Sequence, residues 1–425
     1  MDALHRCCAG LDVHKQTIHA CVRRLADDGQ VSSETRLFGS MTRQILALAD
    51  WLAAEGVSHV AMESTGIYWK PIWNLLEGRF HLLLCNAGEI KQVPGRKTDV
   101  KDCQWLAQLL QYGLLKASFV PSRPLRELRD LTRQRVQLVN EHTAAANRLQ
   151  KVLEDANIKL SSVASDVLGV SGRAMITALI TGEQNPERLA DLAQRRLREK
   201  IPQLIEALEG HVDEHHRFLL RLHSEHLGHL ENMIAQLEER INQVLPTPAL
   251  TESQDGADVL PFPEAVALLV TIPGVDERSA KAILAETGTD MSRFPDAAHL
   301  ASWTGICSGN NESAGKRRSG RTTKGNRWLR RALTQAAWAA SHTKDTYLSA
   351  FFRRLAGRRG KKRALVALAH SLLVTIYYML KEHRCYADLG PDYLDRLHPE
   401  RLAKALVRRL EKLGYPVELT TAEAA

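Results

Sequence analysis

The seven cysteines of this 425-residue chain, Cys7, Cys8, Cys21, Cys85, Cys103, Cys307 and Cys385, never form a C-x-x-C pair. Scattered and odd in number, they indicate neither a disulfide framework nor a zinc ribbon, and reduced thiols are the expectation. Also missing is any continuous apolar run of roughly 18 to 20 residues, the length a membrane helix needs. The opening residues "MDALHRCCAGLDVHK" lack the apolar core of a signal peptide. The expected location is therefore the cytoplasm, with no membrane partner.

Acidic residues are nearly absent from one region. Between Gly315 and Arg363 sixteen lysines and arginines stand against a single acid, Asp345, in a chain whose formal charge is +8. An imbalance this local points to a polyanion, and nucleic acid is the expected partner.

The length suffices for two or three domains, each with its own core. Residues 1–122 alternate strand and helix signals: "CCAGLDVH", "TIHACVRRL" and "VSSETRLFG" read as strands before the helix "TRQILALADWLAAEG". "SHVAMES" and "FHLLLCN" follow as strands, with helices at "TGIYWKPIWNLLEG" and "DVKDCQWLAQLLQYG". Three strands before the first helix, then alternation, predict an α/β mixed sheet flanked by helices. Residues 123–245 read as long helices. Leu220, Leu227, Ile234 and Ile241 repeat every seven residues beside Leu230, Leu237 and Val244, a coiled-coil seam. A weaker seam through Leu128, Leu131, Leu138, Ala145, Leu149 and Val152 is interrupted by Arg135 and His142. The two rows pack on each other or on a second copy, and a homo-oligomer is the preferred expectation. Residues 246–263, rich in proline and acid, read as a linker; 264–384 form a further helical domain, and 385–425 a tail with little pattern.

Carboxylates stand out against this basic background. Asp12 ends the first strand, Glu63 ends "SHVAMES", and Asp99 and Asp102 lie one helical turn apart at the start of a helix. Were the two strands neighbours, all four acids would meet at one sheet edge, where like charges need a cation. Two Mg²⁺ ions in such a cluster suit in-line phosphoryl transfer. The plainer alternatives are a helix cap at Asp99 and solvated strand ends at Asp12 and Glu63.

"SGNNESAGKRRSGRTTKGNRWLRRAL", 308–333, reads as a loop followed by a basic run entering a helix. Ser313 in that loop is a candidate nucleophile or a phosphate-binding hydroxyl. Lys316, Arg317, Arg318, Arg321, Lys324, Arg327, Arg330 and Arg331 are candidate nucleic-acid contacts. "GKRRSGRT" fails as a nucleotide-binding loop, because Arg321 takes the place of the required lysine. In "TIPGVDERSAKAILAETG" a turn at Pro273 and Gly274 between two helices looks like a helix-hairpin-helix, making Gly274 a candidate phosphate contact, with a plain helical corner as the alternative. Six histidines from His211 to His229 have zinc-compatible spacings but no accompanying cysteine or H-E-x-x-H, so they read as surface and seam residues.

"GLDVHK", "AMESTGIYW", "GRKTDVKDCQWLAQLL", "LLVTIPGVDERSAKAILAETG" and the 308–333 block resemble, in order and spacing, the DEDD transposases of bacterial insertion sequences. The resemblance implies an RNase H-like (RuvC-like) N-terminal domain with Asp12, Glu63, Asp99 and Asp102 as an Mg²⁺-binding tetrad, Mn²⁺ being a substitute. It implies a helical C-terminal transposase domain in which Ser313 attaches to a DNA strand end as a phosphoserine. It further implies double-stranded donor and target DNA, a structured bridge RNA as guide, and a dimer or tetramer in which the tetrad of one subunit meets the serine of another. Cys103 replaces a commoner alanine and Glu312 a commoner small or polar residue. The rival readings are a RuvC-like nuclease that uses water and a non-catalytic nucleic-acid-binding scaffold.

Overall fold

A computed structural model describes residues 3–64, 66–86, 102–245, 259–307, 311–313, 316–397 and 399–418. The chain divides into two compact units, Met1–Pro121 and Ser122–Ala425.

The first unit is built on a five-stranded mixed sheet. β1 (Cys7–Val13), β2 (Thr17–Leu25) and β3 (Val31–Gly39) form an antiparallel meander; α1 (Thr42–Ala54) returns the chain to β4 (His59–Glu63), and α2 (Trp69–Leu76) leads to β5 (His81–Cys85). The order is β3-β2-β1-β4-β5, with β4 parallel to both β1 and β5. α3 (Asp102–Gln111) completes the unit.

Strand alternation sorts the side chains onto two unlike faces. One face carries Ala9, Leu11, Val13, Ile18, Val60 and Met62, packed with Ile45, Leu48 and Leu52 of α1 and Ile72 and Leu76 of α2. The opposite face is lined by small residues. Cys8 and Ala61 cluster there with Leu110 of α3, and Cys21 clusters with Cys103 and Ala107. A helix can approach a sheet closely only where the side chains between them are small. Burial drives the thiols of Cys8 and Cys103 up to about 12, so they act as small apolar packing groups rather than as nucleophiles.

The second unit is helical. α4 (Arg123–Asp155) is followed by α5 (Leu160–Val163), α6 (Val170–Thr181), α7 (Pro186–Asp191), a 3₁₀ turn at Arg195–Lys200 and α8 (Ile201–Leu208). α9 (Glu214–Val244) then runs back along α4. The chain continues through α10 (Phe262–Val270), α11 (Glu277–Thr287) and α12 (Ala297–Thr304) to a two-stranded hairpin, β6 (Asn311–Ser313) and β7 (Lys316–Ser319). It closes with α13 (Arg327–His342), α14 (Tyr347–Arg359), α15 (Lys361–Glu382), α16 (Tyr393–Arg396) and α17 (Pro399–Lys412).

The two seams meet within one chain: Leu138, Ala145, Leu149 and Val152 of α4 share a core with Leu220, Leu227 and Leu230 of α9. The polar interruptions are cross-links between the same helices, Arg135 to Glu238 at 2.6 Å and His142 to Glu231 at 2.9 Å. The apolar rows preferred above as a contact with a second copy thus cover each other in a helical hairpin. His216, one of the clustered histidines, is structural: it closes a capping box with Asp213 at the start of α9, and its other nitrogen lies 3.2 Å from Asp155.

Three further features differ from the sequence expectation. The segment around Ser313, read as a loop, contains a β-hairpin, since the alternation in "NES" and "KRRS" is too short to recognise. The tail contains two helices, α16 and α17. α15 is long and apolar enough to cross a membrane by length and composition, yet half of that stretch is buried: Leu368, Leu372 and Ile376 serve the core among its neighbouring helices. The expected linker falls mainly on 246–258, outside the described residues.

Candidate active site

The C-terminal edge of the sheet is where the acids gather. The parallel register pairs Gly10 with Ala61 and Leu11 with Met62, so the next residues, Asp12, one before the end of β1, and Glu63, the last of β4, follow on adjacent strands. Gly10 and Asp12 have the same parity on β1 and face α3. A Cβ at Gly10 would lie 2.3 Å from the carbonyl oxygen of Cys103 and 2.5 Å from the amide nitrogen of Ala107. The missing side chain therefore lets α3 rest directly on β1, with Asp102 in its first turn.

The consequence is electrostatic. Burial raises the Asp12 carboxyl above its ordinary range, His14 opposes that shift, and the charge of Asp102 adds to it. His14 Nε2 lies 3.1 Å from Asp12 Oδ2, and His19, opposite Asp12 on β2, also favours the ionised form. Asp12 is largely enclosed, with 17% of its side chain exposed. Asp102, close enough for its charge to favour protonation of Asp12, and Glu63 at the same edge join Asp12 as oxygen donors suited to a hard divalent cation. Among the described residues no three histidine, cysteine or acidic side chains already form a metal cage. Asp99 lies outside the described residues.

The second unit holds the other candidates. The hairpin register pairs Ser313 with Lys316 at its turn end and Glu312 with Arg317. Lys316, Arg317 and Arg318 all lie on β7. Both feet of the hairpin are fixed. A Cβ on Gly325 would stand 2.4 Å from the Gly305 amide nitrogen, so two glycine backbones touch where the feet converge. The Asn326 amide donates to the Trp303 carbonyl at 3.2 Å, and Arg330 reaches the Gly305 carbonyl at 3.4 Å.

Asn326 also caps α13, accepting from the amides of Trp328 and Leu329, while its side-chain nitrogen donates to Glu286 Oε2 at 2.6 Å. Glu286, 2% exposed, takes two further bonds of 2.7 Å from the Arg133 guanidinium. Arg129 completes this buried group; burial lowers its pKa to about 10, against the pull of Glu286, so it remains charged. Helices α4, α11 and α13 are tied at one point just behind the hairpin.

The comparisons with known proteins agree at both ends of the chain. Residues 9–158 match the DEDD transposase model of the IS110 type, and residues 266–353 match the transposase model of the IS116/IS110/IS902 family. The two matched blocks together span more than half the chain. The chain belongs to the insertion-sequence DEDD transposase family. It is also 26% identical over 311 residues, 70% of this chain and 74% of the relative, to the "Insertion element IS110 uncharacterized 43.6 kDa protein" of Streptomyces coelicolor. The enzyme is accordingly a DNA transposase, and DNA is its substrate.

Several candidate residues of the transposase have settled positions. Lys324 and Arg327 are exposed, with the Arg327 guanidinium 4.8 Å from the centre of the Trp328 ring. Arg330 and Arg331 are half-buried, Arg331 beside Glu286, while Arg321 is exposed at the hairpin foot. Gly274 is different: its φ of 88° supplies the turn, but a Cβ there would stand 2.3 Å from the Ala340 amide nitrogen. The glycine allows close packing of the turn against α13. Sequence reading missed Gly10, His14 and His19. The signal was present in "AGLDVHK", where a glycine two residues before an acid on a strand shares its face.

Proposed function

We propose that this transposase cuts, exchanges and rejoins DNA strands through a covalent phosphoserine at Ser313, with Asp12, Glu63, Asp99 and Asp102 as an Mg²⁺-binding tetrad on an RNase H-like domain. The observation that carries the reading is Asp12 beside Asp102 across Gly10, at the edge where Glu63 also ends. A bound Mg²⁺, or Mn²⁺ in its place, would neutralise charge on the phosphoryl oxygens. Asp12 and Asp102 would hold the ion, and His14 would keep Asp12 oriented and ionised.

The Ser313 Oγ–phosphorus bond forms as the phosphorus–O3′ bond breaks; the serine loses its proton and the departing sugar oxygen gains one. Exchange of strands followed by the reverse step restores Ser313, and no nucleotide triphosphate is consumed because each phosphodiester is conserved. Lys316, Arg317, Arg318 and Arg321 would offset the phosphate charge. In this reading a bridge RNA selects donor and target, the protein acts as a dimer or tetramer in the cytoplasm, and residues 1–122, 123–245 and 264–384 serve as catalytic, helical and transposase domains.

Trapping tests it. Incubated with Mg²⁺, duplex DNA and guide RNA, the protein is expected to yield a DNA adduct that survives denaturation and vanishes in Ser313→Ala. Normal cutting by Ser313→Ala would favour the water-using nuclease, and activity untouched by Asp12→Ala would favour the scaffold.

A further inference from the structure

A cleft of about 1440 Å³ opens within the second unit. Its floor comes from two helices that meet at Gly360. Phe351, Leu355 and Arg359 recur at every fourth residue of α14, and Lys362, Val366, His370 and Val374 do so along α15, so each helix turns one stripe to the cleft. The stripes are charged near the Gly360 corner and mainly apolar away from it, where Phe351, Leu355, Val366 and Val374 flank His370. Phe351 is steadied by the Tyr347 ring, whose centre is 6.0 Å away in a stacked arrangement. The facing wall is formed by Ile306, Cys307, Arg321 and Thr322, the two feet of the hairpin that carries Ser313, with Arg330 beside them.

Size, charge and polarity together select the occupant. The cleft exceeds the ~300–1,000 Å³ of ordinary small-molecule pockets, which favours a polymer segment. Among the described residues no aspartate or glutamate lines it, while Arg321, Arg330, Arg359, Lys362 and Arg363 do, which favours a polyanion. A duplex turns its phosphates outward and hides its base faces, leaving the apolar floor without a partner. A single strand presents both, phosphates for the basic rim and base faces for the floor.

We propose that this cleft seats a single-stranded stretch of nucleic acid directly beside the Ser313 hairpin. The proposal deepens the phosphoserine reading by giving the opened strand a seat, yet binding can be measured without any cleavage.

The probes are single-stranded DNA and RNA oligonucleotides of about 10 nucleotides and the DNA duplex of the same sequence, titrated onto the full-length protein at fixed salt. Val366 is half-buried in the floor, and Val366→Asp is expected to weaken single-strand binding about tenfold or more while changing duplex binding no more than about twofold. Val366→Ser, polar but uncharged, is expected to cost about threefold and keeps the test open should the aspartate unfold the chain. Arg408→Glu, on α17 outside the cleft, leaves the single-strand preference in place. The ratio of DNA to RNA affinity identifies which strand the cleft prefers. Equal losses on single strand and duplex, no loss in either Val366 variant, or displacement of the oligonucleotide by polyglutamate as readily as by unlabelled strand would overturn the proposal. Ser313→Ala separates the two readings: loss of the adduct with strand binding retained leaves the cleft intact, whereas an adduct that forms despite Val366-insensitive binding removes the cleft alone.

Discussion

Asp12 holds a charge that its surroundings resist. Enclosure and the neighbouring Asp102 both favour the protonated acid, and His14 only partly offsets them. Replacing the carboxyl by an isosteric amide removes that burden and one oxygen ligand together. Asp12→Asn is expected to lower strand-transfer rate by at least about 100-fold, the upper end of what loss of even an outer-sphere metal partner costs. Its metal-free melting temperature at neutral pH should equal or exceed that of the parent; a melting temperature several degrees lower would mean the carboxylate is structural. Asp213 presents the opposite case. Its pKa is lowered, chiefly by the His216 amide that it accepts, so its contribution is present above the ordinary value of 3.8 and lost as pH falls through the depressed folded value. Asp213→Asn keeps a capping side chain without the titration. Protection factors of the His216 and Arg217 amides, corrected for intrinsic exchange, should fall in acid for the parent and stay nearly flat for the variant.

At the scale of elements, the candidate site depends on how closely α3 approaches β1. Gly10→Ala would force a methyl group into backbone atoms 2.3 and 2.5 Å away, and neither can yield without moving the helix. Overpacking of this kind costs about 1–3 kcal/mol. The expected outcome is a lower melting temperature together with loss of activity, although no acid has been altered; full activity at reduced stability would mean that the position of Asp102 over Asp12 is not needed. The Ser313 hairpin relies on a different device. Touching glycines at 305 and 325 and the Asn326 bridge to Glu286 fix its feet to α11, α12 and α13.

At the scale of the whole molecule, two units with separate cores are expected to melt as two calorimetric transitions, and point changes should assign them. Glu286→Ala leaves the buried Arg129 uncompensated, a loss of about 3–5 kcal/mol. It should lower one transition, and Gly10→Ala the other. A single transition lowered equally by both would show that the units fold as one.

Much of this organisation was legible in the chain because it is written in local periodicity. Alternation or short apolar runs marked the five strands of the mixed sheet, 3.6-residue spacing marked α1 and the long helices, and the quoted motifs carried the family. What the sequence could not determine depends on contacts between distant residues. A heptad row has the same pattern whether it meets its own chain or a copy, and only the pairing of Arg135 with Glu238 and His142 with Glu231 decided that α4 takes α9. A glycine before an acid looks permissive until a helix is found resting on it. The tertiary structure alone decided that Gly274 packs inward, that Glu286 joins three helices, and that basic and apolar stripes from separate helices line one cleft. The physical reason is common to all three: close packing and buried charge are properties of surfaces brought together by folding, and no local pattern records them.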